Sequence, residues 1–356
     1  MTSQGECEFS TVSVQLIATG CSCRCRHCYA SATGKVREPI GAAGAEEILD
    51  LLEPVMSRAE ERLVDVLYDL FDHPDAAGMV RLLHRRDSYG MWIDVATNGA
   101  GIARRQDYRE LLGEMKEMGS KWLQLSFHGL EETHDWFVRR RGAFRDLVAA
   151  AKAGQDAGLQ LNIVPFANKR NVDELPRLGE RLKQDGLDVR LGVLSWGPAG
   201  FGRELEELRV DSDDRERLRE HFRRGLFPGF RTEGQWRDEV LSDDQSAFSW
   251  WNHNAFSISV DGKLDVWLDY DVPLGNLRDD DLDVIIAKYR ERILDRPNRA
   301  ISEEIRTTGR SERLVHLAER YAEPGGKRLY RVGTQAVTVW LQRMEADASA
   351  KGGESK

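Results

Sequence analysis

Gly20-Cys21-Ser22-Cys23-Arg24-Cys25-Arg26-His27-Cys28-Tyr29 is the stretch on which the reading of this chain turns. It follows Val12-Ser13-Val14-Gln15-Leu16-Ile17, whose alternation predicts a buried strand. Of the chain's five cysteines, all but Cys7 stand between Cys21 and Cys28, and Cys21, Cys25 and Cys28 are spaced C-x3-C-x2-C. A loop of that spacing can wrap three thiolates around one face of an iron–sulfur cubane, and thiolates are the ligands such clusters select. Three ligands leave one iron open. An open iron can chelate and reduce a small molecule, so the spacing points to catalysis more than to electron storage.

Three plainer readings compete. A zinc loop could recruit His27 or Cys23 as a fourth ligand, although zinc sites usually come as separated pairs of ligands. Disulfides need an oxidising compartment, whereas an acidic chain with no signal peptide implies a reducing cytosol. Buried structural cysteines seldom cluster among arginines. Cys23 reads as a spare thiol, with hydrogen-atom donation as its alternative role.

Beyond the cysteines the chain alternates helix and strand. Ala45 to Ser57 carries Ile48, Leu49, Leu51, Leu52 and Val55 at helical spacing, and Leu63 to Leu67 reads as a second strand. Met91 to Ala96 is a third, running into Thr97-Asn98-Gly99, with a helix from about Gln106 to Met118 after it. The fourth strand begins at Lys121 and ends in Ser126-Phe127-His128-Gly129; Thr133-His134-Asp135 and Gly142-Ala143-Phe144 follow. Leu159 to Val164 is the fifth, a helix covers about Val172 to Gln184, and Leu187 to Ser195 is the sixth strand. Right-handed crossovers would curl these parallel strands into an open barrel with every motif at the carboxyl ends of strands.

With these motifs in this order the chain resembles the radical S-adenosylmethionine (radical SAM) superfamily, whose fold is a partial (β/α)6 TIM-like barrel with the cysteine motif after the first strand. The resemblance implies one [4Fe-4S] cluster held by Cys21, Cys25 and Cys28, with S-adenosyl-L-methionine on the remaining iron. It implies cofactor contacts from His27 and Tyr29 beside the last cysteine, from Asp69, from Thr97 and Asn98, and from Ser126. Arg139 is the candidate partner of the cofactor's carboxylate, a bidentate task suited to a guanidinium. Two segments depart from the family pattern. His27 stands where an aromatic is usual. Leu67-Tyr68-Asp69-Leu70-Phe71-Asp72-His73-Pro74 keeps the His-Pro of the family's Gly-Gly-Glu-Pro segment but not its glycines, so Tyr68 adds bulk where glycine admits the backbone closely. The plainer reading of Asp69 is a helix-capping carboxylate.

The sequence divides into a polar lead-in at 1–11, the barrel at 12–204, a smaller α+β extension at 205–325 and a C-terminal segment at 326–356 with a polar tail expected to be disordered. A hairpin signal at Asp261-Gly262, Leu274 to Leu277 and a helix from Asp281 resemble a SPASM or twitch extension. Trp267 occupies the place of an auxiliary-cluster cysteine, and no cysteine follows Cys28. The extension is therefore expected to hold no second cluster, which favours a redox-neutral outcome. His128, Asn168, Trp196 and Trp267 are the candidate substrate contacts. Trp250, Trp251 and His253 share that role, although plain packing is the commoner use of aromatics.

At 356 residues, 41% apolar, with no uninterrupted apolar run of membrane-spanning length, the chain is expected in the cytoplasm with no membrane partner. A net charge of −9 argues against broad nucleic-acid binding. The resemblance implies an enzyme that cleaves S-adenosylmethionine to a 5′-deoxyadenosyl radical, which takes hydrogen from a carbon of a small polar metabolite in specialised biosynthesis. An external one-electron reductant of flavodoxin or ferredoxin type would feed it. A maturase of a ribosomally made precursor peptide is the second reading, and a non-catalytic metal-binding or regulatory protein the third.

Overall fold

The computed structural model describes residues 8–28, 39–86, 94–193, 201, 205, 207–208, 210, 212–221, 231–232, 255–268, 272–293 and 329–330. The first half alternates strands and helices: β1 (Phe9–Ile17), α1 (Ala42–Met56), β2 (Ala59–Val66), α2 (Ala76–Arg86), β3 (Asp94–Thr97), α3 (Ala100–Arg104), α4 (Tyr108–Glu117) and β4 (Trp122–Leu125). It continues with α5 (Glu131–Val138), α6 (Ala143–Asp156), β5 (Gln160–Ile163), α7 (Leu175–Gln184) and β6 (Val189–Leu191). After these come α8 (Ser212–His221), β7 (Arg231–Thr232), β8 (Ala255–Asp261), β9 (Asp265–Leu268), β10 (Val272–Asn276), α9 (Leu282–Ile293) and β11 (Leu329–Tyr330).

β1 pairs with β2, and β3 to β6 pair in sequence order, every pairing parallel. This is the partial (β/α)6 barrel expected from the alternation. Val12, Val14 and Leu16 of β1 are fully buried and share one core with Ile48, Leu49 and Leu52 of α1 and Met79, Val80 and Leu83 of α2. Burying each such side chain is worth about 1.5–3 kcal/mol. The same core runs on through Leu123 and Leu125 of β4, Leu161 and Ile163 of β5, and Phe127, Phe144 and Leu147.

The strand–helix count from sequence merges pieces that the structure separates. α3 starts directly after Gly99, whose φ of +78° is left-handed and whose added Cβ would lie 2.8 Å from Leu147 Cα. Only glycine fits both demands. α5 and α6 are divided at Arg140 to Gly142, and Asp135 binds the entry to α6 by accepting from the Gly142 and Phe144 N–H groups at 2.5 and 2.9 Å.

The hairpin at Asp261-Gly262 forms as expected, and it does not stand apart. β8 adds in parallel to the free edge of β1, with Phe256 opposite Val12 and Val260 opposite Leu16. β9 and β10 continue antiparallel, so one sheet runs β10-β9-β8-β1-β2. An open barrel edge would otherwise present unpaired backbone groups. No described helix is long and apolar enough to cross a membrane.

Candidate functional site

The loop after β1 carries Cys21, Cys23, Cys25 and Cys28 as free thiols. It is fastened at several points. The Arg24 and Arg26 N–H groups donate to the carbonyls of Val138 and Phe137 at 3.2 and 2.8 Å, using acceptors that the end of α5 leaves open. The Ser22 N–H donates to Asp72 Oδ2 at 2.8 Å, and Phe201 N–H to the Cys28 carbonyl at 2.9 Å. Cys23 is 1% exposed against Val138 and Ala143, whereas Cys21, Cys25 and Cys28 are half-exposed. The fourth thiol, Cys23, is the most buried of the loop and lies against Cys21 and Cys25. The Cys23 N–H and Asn98 Nδ2 both point at Cys21 Sγ, at 3.4 and 3.6 Å, an arrangement that suits a thiolate. Among the thiols, Cys23 is the most acidic because Cys21 and Cys25 hydrogen-bond to it and the Arg140 guanidinium is close; Cys21 and Cys25 are raised in consequence.

The turns after β2 and β3 make one wall beside this loop. Asp69 is 2% exposed, with Oδ1 accepting from the Phe71 N–H at 3.0 Å and Oδ2 from Thr97 Oγ1 at 3.0 Å and the Asn98 N–H at 2.6 Å. Asn98 Nδ2 reaches Asp72 Oδ2 at 3.3 Å, and its Oδ1 accepts from Ser22 Oγ at 3.3 Å and the Ala100 N–H at 2.9 Å. Burial, then the neighbouring Asp72, push Asp69 up to about 8, against the pull of the donors from Asn98, Phe71 and Thr97. Asp69, Thr97 and Asn98 are therefore brought together beside the cysteines. Asp69 also caps the short turn at 70–72, not the helix from about Asp75 that the plainer reading expected; there Asp75 itself accepts from the Gly78 N–H at 3.1 Å. Tyr68 has φ +74°, so it keeps a glycine-like backbone at about 1–2 kcal/mol. Its ring joins Ile17, Leu67, Cys28 and Trp267.

The opposite wall comes from the ends of β4 and β5. Ser126 N–H donates to the Thr97 carbonyl at 3.1 Å, which ties the two walls together. His128 is 1% exposed, with ring centroids 4.3 Å from His27, 4.9 Å from Phe137 and 5.9 Å from His134. His27 also stacks on Phe137 and lies against Phe166, both at 4.7 Å. The His128 N–H donates to His134 Nδ1 at 3.1 Å, so neutral His134 carries its proton on Nε2. His134 Nε2, His128 Nδ1 and His27 Nδ1 are buried and make no hydrogen bond. Burial lowers all three imidazoles, His27 to about 3 and His134 to about 4, and keeps them neutral. Asn171 Nδ2 donates to the carbonyls of His128 and Phe166 at 2.9 and 2.8 Å, joining the two loops.

Other expected positions sort differently. Arg139 ends α5 with φ +54°, is exposed, and lays its guanidinium over Phe201 at 5.6 Å. The next residue, Arg140, is the one that turns toward the cysteines. Its Nη1 donates to Asp146 Oδ2 at 2.5 Å, and its Nε and Nη2 are buried with no hydrogen bond. Trp267 of β9 joins Cys28 and Tyr68 in packing against the buried pair Ile17 and Leu67, with Nε1 donating to Asp261 Oδ2 at 3.4 Å. Asn168 shapes its own turn, accepting from the Arg170 N–H at 2.9 Å and donating to the Phe166 carbonyl at 3.2 Å. Tyr29, Trp196, Trp250, Trp251 and His253 lie outside the described residues. Asp72, Asn171 and Arg140 were not singled out from sequence, because nothing in local pattern distinguishes them from surface polar residues.

Among the described residues, no three His, Cys, Asp or Glu converge as they would on a single ion. A cubane makes a different demand, one thiolate at each of several irons, and three half-exposed sulfurs on one loop match that donor set. Residues 16–182, just under half of the chain, match the family described as the Radical SAM superfamily. The superfamily's cofactors are a 4Fe-4S cluster and S-adenosylmethionine. The chain is 28% identical to the AdoMet-dependent heme synthase of Methanosarcina barkeri over 203 residues, which cover 57% of this chain and 54% of that protein. It is 23% identical to the sporulation killing factor maturation protein SkfB of Bacillus subtilis over 268 residues, 75% of this chain and 62% of SkfB. The chain thus spans less than two thirds of either relative. Streptococcus suis SuiB bound to precursor peptide SuiA has a similar fold, with a TM-score of 0.56, 14% identity, and coverage of 92% of this chain and 76% of SuiB.

Proposed function

We propose that this chain is a radical SAM enzyme in which Cys21, Cys25 and Cys28 hold the 4Fe-4S cluster. The observation that carries the assignment is that Cys21, Cys25 and Cys28, spaced C-x3-C-x2-C and each partly buried, share one loop at the carboxyl end of β1. When bound, the cluster and S-adenosylmethionine supply an adenosyl radical able to take hydrogen from a substrate carbon. The chain's own task is to orient and to exclude water. In this reading Asn98, aimed at Cys21 Sγ, steadies the ligand loop. His27, Tyr29, Asp69, Thr97, Ser126 and Arg139 are proposed contacts of the cofactor. His128, Asn168, Trp196 and Trp267 are proposed on the substrate side, where Trp267 and Cys28 pack against the same two residues, Ile17 and Leu67.

The proposed substrate is a small polar metabolite, turned over without net oxidation and with electrons from an external flavodoxin- or ferredoxin-type donor. The heme synthase relative supports a small-molecule substrate. Residues 205–325 are proposed as a twitch-like extension without a cluster, its hairpin completing the β1 edge. A second reading, maturation of a precursor peptide, is supported by SkfB, named as a maturation protein, and by SuiB, solved with its precursor peptide.

The test is anaerobic reconstitution with iron and sulfide, then dithionite and S-adenosylmethionine, comparing wild type with Cys25→Ala. The expected result is 5′-deoxyadenosine from wild type and only background from the variant, whose iron content also falls. A fully loaded wild type that yields no nucleoside, with candidate substrates present, would sink the proposal. A mass change in a supplied precursor peptide would move the conclusion to the second reading.

A further inference from the structure

Arg140 places a buried cation behind the cysteine loop. Its side chain is 14% exposed. Arg139 turns out to solvent at the end of α5, and Arg140 turns in, so that its guanidinium lies beside Cys23, which touches Cys21 and Cys25. Asp146 Oδ2 accepts from Nη1 at 2.5 Å, while Nε and Nη2 are buried without a hydrogen bond. A guanidinium does not deprotonate and presents its donors in a rigid fork. Two unpartnered nitrogens in the interior cost free energy unless something accepts from them. The sulfur-rich side of the cysteine loop is the acceptor at hand.

We propose that Arg140 is a positioning residue for the redox state of the cluster: its fixed charge, held beside the Cys23 sulfur that touches two of the ligand thiols, stabilises the added electron and raises the cluster's reduction potential. This rests on the assignment of the cluster to Cys21, Cys25 and Cys28. Reduction transfers one electron from dithionite to the oxidised cluster, with no proton taken up. The reduced cluster is one unit more negative, and a nearby cation favours that form. Net charge and hydrogen bonds at the sulfurs are general determinants of cluster potential. Asp146 moderates the effect, because its carboxylate offsets part of the charge.

An EPR-monitored redox titration of the reconstituted full chain tests this, with iron and sulfide measured for wild type, Arg140→Met, Arg140→Lys and Asp146→Asn. At the wild-type midpoint, Arg140→Met is expected to show an about tenfold lower ratio of reduced to oxidised cluster, equivalent to about 59 mV for a one-electron couple. Asp146→Asn is expected to shift the opposite way, and Arg140→Lys, which keeps the charge, to stay near wild type. Equal midpoints in loaded wild type and Arg140→Met overturn the proposal. So does failure of both Arg140 variants to load, which would make the residue structural. Weaker S-adenosylmethionine binding at an unchanged midpoint also overturns it, reassigning the guanidinium to the cofactor's carboxylate. A wild type that loads no cluster overturns this proposal together with the ligand assignment beneath it.

Discussion

The two walls beside the cysteine loop are built on opposite principles. On the β2–β3 side, Asp69 and Asn98 spend their side-chain oxygens on Phe71, Thr97, Ser22 and Ala100. On the β4–α5 side, His27, His128, His134 and Arg140 bury nitrogens that make no hydrogen bond at all. Buried polar groups are normally paired, so a run of exceptions on one side marks a functional surface, and a saturated network marks a clamp. The difference teaches where pairing is incomplete: the first wall holds the loop in place with saturated oxygens, and the second keeps imidazole and guanidinium nitrogens unpaired in the interior.

If that contrast is right, damage to the clamp should cost stability and damage to the open wall should not. The largest effect is expected for Gly99→Ala, where a left-handed backbone and a Cβ 2.8 Å from Leu147 Cα act together. A loss of about 3 kcal/mol in denaturant unfolding would fit. Asp69→Ala strands donors from Phe71, Thr97 and Asn98, and about 2 kcal/mol should be lost in the same assay. By contrast, His128→Phe replaces an unpartnered imidazole with a ring of similar shape and should stay within about 1 kcal/mol of wild type. A large destabilisation there would erase the distinction between the walls.

The walls should also respond to pH with opposite sign. Folding raises Asp69 from 3.8 to about 8, so the folded chain keeps a proton that the unfolded chain has lost, and this contribution falls as pH rises through that window. Folding lowers His134 from 6.5 to about 4 and His27 to about 3, so their contribution is present above 6.5 and is lost as the solution is acidified. Unfolding midpoints measured across pH 4 to 8 should show a flatter alkaline decline in Asp72→Asn, which removes the like charge beside Asp69. An unchanged decline would mean that Asp69 is not the group responsible. The smallest effect is expected at Trp267→Phe, which keeps the packing on Ile17 and Leu67 and loses only the long bond to Asp261, about 0.5 kcal/mol by thermal unfolding.

Much of this architecture was legible in the residues. Alternation in Val12 to Ile17 reports which face of β1 is buried, and the spacing of Ile48, Leu49 and Leu52 reports the inner stripe of α1, because both patterns are local consequences of strand and helix geometry. The grouping of Cys21, Cys25 and Cys28 was legible for the same reason, since a short loop brings neighbouring residues together without help. Gly99 was legible as a turn, and only the closeness of Leu147 shows why no other residue could stand there.

The remainder depended on contacts between distant segments. Periodicity states which face a strand buries and is silent on which strand it meets, so the parallel addition of β8 to β1, 244 positions apart at Thr11 and Ala255, could not be read from either. That pairing is what brings Trp267 to Ile17 and Leu67, on which Cys28 also packs. At the end of α5, three successive arginines are equivalent in sequence. One left-handed residue, Arg139, rotates the chain so that Arg140 alone enters the interior, and that rotation is set by the packing of α5 and α6 around Cys23, Val138 and Ala143. Sequence by itself determined the strands, the helices and the thiol triad, because their causes are local. The tertiary structure decided the pairing of the walls and the inward arginine, because those are settled by which distant surfaces come to share a core.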